Sequence, residues 1–181
     1  MASVSRRWHQ DMPGRPDIRF EVLDGAHLHR LHRWLQSSHV REFWDDGDRT
    51  LAQVRAHYLE DRDVEAIIIS LDGREAGYIQ AYPVEENSGF AAFRAATGAT
   101  WGIDLFIGES SLLGQGHAAP IIRAFIERLK TDHPKLRRVL IDPETRNLRA
   151  IHVYQTVGFD RQAVLEHGGQ TLHIMALDLP L

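Results

Sequence analysis

The chain has 181 residues, 43% of them hydrophobic and 25% charged, proportions that suit a globular protein with one sizeable core. A formal net charge of −4 with no basic stripe argues against a general nucleic-acid binder and is compatible with a cationic small substrate. The absence of cysteine excludes disulfides, a thiolate nucleophile and cysteine-ligated metal or iron–sulfur sites.

Residues 1–16 are polar, contain Pro13, Gly14 and Pro16, and read as an irregular N-terminal arm before a single domain over 17–181. Neither a continuous apolar leader segment nor a run of membrane-spanning length is present, so the expected location is the cytoplasm, with no membrane partner. Ile18 to Val22 alternates apolar and charged residues, a strand signal. Leu28, Leu31 and Leu35 recur at helical spacing. Thr50 with Gln53 resembles a capping box that opens a second helix through Val54 and Tyr58. Ala66 to Leu71 and Ala76 to Tyr82 flank Asp72-Gly73 and predict a hairpin. Pro83 to Gly98 reads as a loop holding Glu85 and Glu86. Thr100 to Ile107 is then a strand, His117 to Thr131 a helix, Arg138 to Ile141 a strand and Leu148 to Val157 a helix with Asn147 as a possible cap. Phe159 to Leu165 and Leu172 to Leu177 close a last hairpin. The pattern implies an α+β domain with a mixed, mostly antiparallel sheet of about six to seven strands, a central βαβ unit and about four helices.

The stretch 101–159 carries the chemistry. Gly114 and Gly116 sit where a loop turns into a helix, so backbone N–H groups can point outward with no Cβ in the way, and the helix N-terminus adds partial positive charge. That is a cradle for a phosphate or pyrophosphate. A P-loop needs Lys-Ser/Thr after the last glycine, and His117-Ala118 supplies neither. Gly114, Gly116 and Ala119 satisfy a dinucleotide fingerprint literally, with Asp142 at roughly the distance of a ribose-binding acid. Against that reading, Glu109 to Leu113 separate the glycines from the strand, and too little chain remains after Asp142 for further βα units.

A third reading joins Gly114-Gln115-Gly116-His117-Ala118 to Asn147-Leu148-Arg149-Ala150, Tyr154 and Gly158-Phe159. Together these resemble the GNAT superfamily of N-acetyltransferases. The superfamily's phosphate loop usually opens on Arg or Gln, where this chain has Leu113. Within the superfamily, Trp101-Gly102-Ile103-Asp104, Leu112-Leu113-Gly114-Gln115-Gly116, Asp142-Pro143 and Asn147 to Ile151 are similar to bacterial aminoglycoside 6′-N-acetyltransferases, as is Ser38 to Trp44. A sister group, the acetyltransferases of hydroxylysine siderophore synthesis, shares the Asp-Pro-x-x-x-Asn run but tends to carry histidine in place of Asp104. This chain also departs from some drug-modifying members. Phe93 to Gly98 stands where they are acid-rich, and Gly168-Gly169 lacks an aspartate.

The resemblance implies acetyl-coenzyme A as acyl-donor cosubstrate, no metal, and a small cationic amine as acceptor, in a monomer or homodimer. It implies that Phe106, Ile107, Leu113, Gly114, Gln115, Gly116, His117, Ala118, Asn147, Ala150 and Tyr154 contact the cofactor, with Asn147 capping its helix as well. Tyr154 would protonate the departing thiolate, and core packing is its plain alternative. Asp104 lies mid-strand between Ile103 and Leu105 and points to the opposite face, as either a surface acid or a buried one in a polar cleft. The resemblance makes it the substrate anchor and proton acceptor. Asp142 is either a strand-end turn acid or a substrate ligand. An acid of ordinary pKa near 4 is a weak base for an ammonium, so a water relay or a raised pKa is required. Without cysteine, direct attack in a ternary complex is expected. Trp44 with Asp45, Asp46 and Asp48 offers a flat wall ringed by acids, or a solvated loop with one anchoring aromatic. His27, His29, His32 and His39 have no acid or cysteine at ligand spacing, so no metal is expected. A siderophore hydroxylysine, a peptide N-terminus, and a degenerate acyl-coenzyme A-binding module are the alternatives.

Overall fold

The computed structural model describes residues 16–44, 46–60 and 63–180; the N-terminal arm (apart from Pro16) and Asp45 lie outside them. Among the described residues, seven strands and five helices follow one another as β1 (Ile18–Val22), α1 (Leu28–Leu35), α2 (Ser38–Arg41), α3 (Leu51–Leu59), β2 (Glu65–Leu71), β3 (Arg74–Pro83), β4 (Ala99–Ile107), α4 (Ala118–Asp132), β5 (Leu136–Ile141), α5 (Leu148–Val157), β6 (Asp160–His167) and β7 (Gln170–Asp178). The strands form one mixed sheet in the order β1-β2-β3-β4-β5-β7-β6. β4 and β5 run parallel with α4 between them, which is the expected βαβ unit; β1 with β2 and β7 with both β5 and β6 are antiparallel. The sequence pattern misses only α2, whose four residues are too short to show a helical repeat.

Two compact units share these elements, and the chain passes between them after Gln80, Asp104 and His117. In the first, α1 buries Leu28, Leu31, Trp34 and Leu35, one apolar stripe at helical spacing, in a cluster with Val54, Tyr58, Ile68 and Tyr78. Helix α3 starts on the capping box: Gln53 N–H donates to Thr50 Oγ1 (3.3 Å), and Thr50 N–H donates to Gln53 Oε1 (2.8 Å). Asp72 and Gly73 both take positive φ (50° and 77°), which matches the primed turns that join adjacent antiparallel strands. After β4, Gly108 passes under the Trp34 indole so closely that a Cβ would sit 2.2 Å from the ring. The same indole N–H donates to Glu109 Oε1 at 2.8 Å. That hydrogen bond, together with Arg33 and Arg30, holds the Glu109 carboxyl below its ordinary value. The entrance to the glycine loop is thereby tethered to α1.

In the second unit, α4 buries Ile121, Ile122, Phe125, Ile126 and Leu129, and packs against α5, which buries Ile151 and Tyr154. Gly158 ends α5 in the left-handed region (φ 119°), and its N–H donates to the Tyr154 and Gln155 carbonyls. The β6–β7 hairpin turns on Gly168 and Gly169, again both at positive φ. The 84–98 segment lays Val84, Phe90 and Phe93 against Leu140 and Ala176.

Candidate active site

The central feature follows from strand register. β4 pairs with β5 from Ala99↔Leu136 to Gly102↔Leu140. Asp104 and Asp142 each lie two residues beyond that last pair, so side-chain alternation returns both to the face of Gly102 and Leu140. Ile103, between them in alternation, is fully buried on the other face. Two carboxyls thus meet where the pairing stops. Asp142 is hydrogen-bonded to Asp104, and two carboxyls can share such a bond only if one holds a proton. Burial first, then the Asp104 charge, push the Asp142 carboxyl up to about 8, although its own backbone N–H works against this. The pair therefore holds one shared proton at neutral pH.

Two tyrosines face the pair. Tyr154, on α5, is buried with 8% of its surface exposed. Burial and the charges of Asp104 and Asp142 raise its hydroxyl well above the ordinary tyrosine value, so it keeps its proton at working pH. Tyr82, near the end of β3, is the site residue that sequence reasoning misses. Its hydroxyl donates to Asp104, and burial followed by the same two charges raises it further. The signal for it is Gly102: a lone glycine inside a strand marks a close approach, and a Cβ there would sit 2.4 Å from the Tyr82 ring. Asn147 caps α5, its Oδ1 accepting from Ala150 N–H at 3.2 Å. The 84–98 segment walls one side of this face. Arg138 donates to the Phe93 carbonyl (3.0 Å), Ala95 N–H donates to Thr100 Oγ1 (2.9 Å), and the Phe90 ring lies 5.5 Å from the His167 ring.

The glycine loop belongs to the first unit. Gly114 and Gly116 hold φ of 73° and 79°, and at each of them the position a Cβ would take has no neighbour within 4 Å. These two residues therefore combine left-handed backbone with open space. Leu113 is 39% exposed, Gln115 turns its amide back to the Ser111 carbonyl, and α4 begins at Ala118. Also in this unit, the Ile107 carbonyl accepts from His39 Nε2 (3.0 Å). Phe106 sits edge-on to Trp44 and Trp34. Trp44 is half-buried, its indole N–H donating to Tyr58 Oη (2.8 Å) and toward Asp46 (3.3 Å). The acids near it are matched by cations, Asp46 by Arg49 (2.6 Å) and Asp48 by Arg41 (2.7 Å). Burial opposes the charge on Asp46, yet hydrogen bonds from Tyr58 and Arg49 hold it below its ordinary value. No cluster of histidine and acids among the described residues could hold a metal.

The mixed sheet with its parallel βαβ unit is the α+β architecture that the sequence resemblance implies. The profile of the acetyltransferase (GNAT) domain matches residues 24–167, and the chain belongs to that family. It is 35% identical over 155 residues to aminoglycoside N(6′)-acetyltransferase type 1 of Klebsiella pneumoniae, a match that covers 82% of this chain and 76% of the relative. A kanamycin resistance protein of Rhizobium radiobacter is 39% identical over 64 residues, 35% of this chain and 58% of that protein. Among solved structures, aminoglycoside acetyltransferase AAC(6′)-Ib in complex with coenzyme A and kanamycin superposes with a TM-score of 0.79 at 30% identity, covering 89% of this chain and 94% of that one.

Proposed function

We propose that the chain transfers an acetyl group from acetyl-coenzyme A to a primary amine of a small cationic acceptor, with an aminoglycoside 6′-amine as the leading substrate class. The observation that carries the reading is the proton-sharing pair Asp104–Asp142 beside the Tyr154 hydroxyl. The relatives named as aminoglycoside acetyltransferases and the solved complex with kanamycin support the acceptor class. The cradle suits the donor, because positive φ and open space at Gly114 and Gly116 let backbone N–H groups approach a pyrophosphate. Leu113, Gln115, His117 and Ala118 flank that cradle, and Asn147, Ala150 and Tyr154 would meet the acyl arm. Phe106, Ile107 and Trp44 remain proposed contacts. Bound acetyl-coenzyme A supplies an activated thioester carbonyl.

The acceptor arrives as an ammonium and is attracted to ionised Asp104. Its positive charge makes the shared proton easier to lose to solvent, and the pair so vacated can take up the proton that the amine gives up. Once the amine has given up a proton, its lone pair attacks the carbonyl directly, since no cysteine is available for a covalent acyl-enzyme. Tyr154 holds its proton until the thiolate leaves. The arriving cation offsets the negative charge that raises Tyr154, which eases the transfer. A thiol-release assay with acetyl-coenzyme A across aminoglycosides, a hydroxylysine derivative and peptide N-termini tests the reading. Turnover on 6′-amines with a mass gain of one acetyl group supports it. Turnover only on the hydroxylamine or peptides reassigns the acceptor, and none on any amine leaves an acyl-coenzyme A-binding module.

A further inference from the structure

Tyr82 has a place in this site that the proposed mechanism does not use. Its ring packs against the only kind of residue that admits it, since any Cβ at Gly102 would meet the ring at 2.4 and 2.5 Å and the hydroxyl oxygen at 2.8 Å. Gly102 is on the same face as Asp104 and two residues before it, so the ring's seat fixes where the phenol points. Its hydroxyl donates to Asp104, the carboxyl that is also hydrogen-bonded to Asp142. The four groups facing one another are Tyr82 from β3, Asp104 from β4, Asp142 at the end of β5 and Tyr154 from α5.

A carboxyl pair that shares one proton can place it on either member. We infer that Tyr82 is a positioning residue which, seated on Gly102, breaks this symmetry by donating a hydrogen bond to Asp104, so that Asp104 stays ionised for the acceptor's ammonium while Asp142 keeps the proton. A hydrogen bond to the charged form favours that form, and charge-assisted bonds are the stronger class. Tyr82 cannot accept the Asp142 proton in its place, because burial and the neighbouring charges hold its own hydroxyl firmly protonated. The inference rests on the acceptor role proposed for Asp104, but the pair's proton is readable without any substrate.

Tyr82→Phe keeps the ring on Gly102 and removes only the donor. In substrate-free protein with carbon-13-labelled aspartate, the Asp104 carboxyl resonance should titrate about one pH unit higher in the variant, the size expected for loss of one hydrogen bond to a charged group. In the active enzyme, the acidic limb of kcat/KM for the best amine should move up by a similar amount, while the affinity for acetyl-coenzyme A stays close to wild type. Should Tyr82→Phe fold poorly, 3-fluorotyrosine placed at residue 82 retains the ring, strengthens the donor and should move the titration down. An unmoved Asp104 titration in either variant overturns the inference, as does a loss of activity equal at every pH. A shifted titration in a protein that acetylates no amine upholds the role of Tyr82 while rejecting the proposed function.

Discussion

Asp104 and Asp142 show how two strand residues acquire a chemical role through placement. In water each would be a carboxylate of ordinary acidity; buried and side by side, they share a proton. Such an arrangement opposes folding. In the unfolded chain Asp142 ionises near 4, whereas in the native protein it holds its proton to about 8. Between those values the native state binds more protons than the unfolded state, so this group's contribution to stability falls as pH rises through the window and levels off above it. Asp142→Asn mimics the protonated acid and should escape that loss. Thermal melts without ligands should show the variant gaining on wild type from about pH 4 to pH 8, while acetyl transfer declines. A stability difference independent of pH would refute the shared proton. At Tyr154 the same reasoning separates chemistry from packing. Tyr154→Phe retains the ring beside Phe159 but lacks the donor, so kcat should drop about 10²-fold or more with little change in cofactor affinity. An unaltered rate would leave Tyr154 as a packing residue.

At the scale of elements, the glycine loop and helix α5 are where local chemistry decides. Gly116→Asp places a side chain and a negative charge in the cradle and strains a backbone at φ 79°. Acetyl-coenzyme A binding, followed by calorimetry, should be lost in a folded variant; unchanged affinity would reject the assigned loop. Asn147→Ala removes the cap on Ala150 and should cost about 1 kcal/mol in chemical denaturation. Features of this local kind were legible in the sequence. The Thr50–Gln53 box, the Asp72-Gly73 and Gly168-Gly169 turns and the Asn147 cap each depend on residues within a few positions of one another. Tyr82 and the meeting of Asp104 with Asp142 were not legible, because they depend on strands brought together from distant parts of the chain. Alternation places Asp104 opposite Ile103, but only the β4–β5 register reveals that Asp142 stands beside it. Trp44 was legible as a candidate but its packing was not, for a related reason: its hydrogen bond to Tyr58 and the arginines that match its neighbouring acids belong to tertiary structure.

For the molecule as a whole, family membership accounts for the sheet order and the βαβ unit, and the proposed acceptor site lies on the face that carries the acid pair. The central claim is that Asp104 receives the acceptor's ammonium and, with Asp142, its proton. Steady-state kinetics of Asp104→Asn beside wild type, on the best amine from the panel, tests this most directly. The amide keeps the shape but neither pairs with an ammonium as strongly nor accepts its proton. The account predicts a higher KM for the amine, a lower kcat, and acetyl-coenzyme A binding unchanged by calorimetry. An Asp104→Asn enzyme as active as wild type on that amine would contradict it.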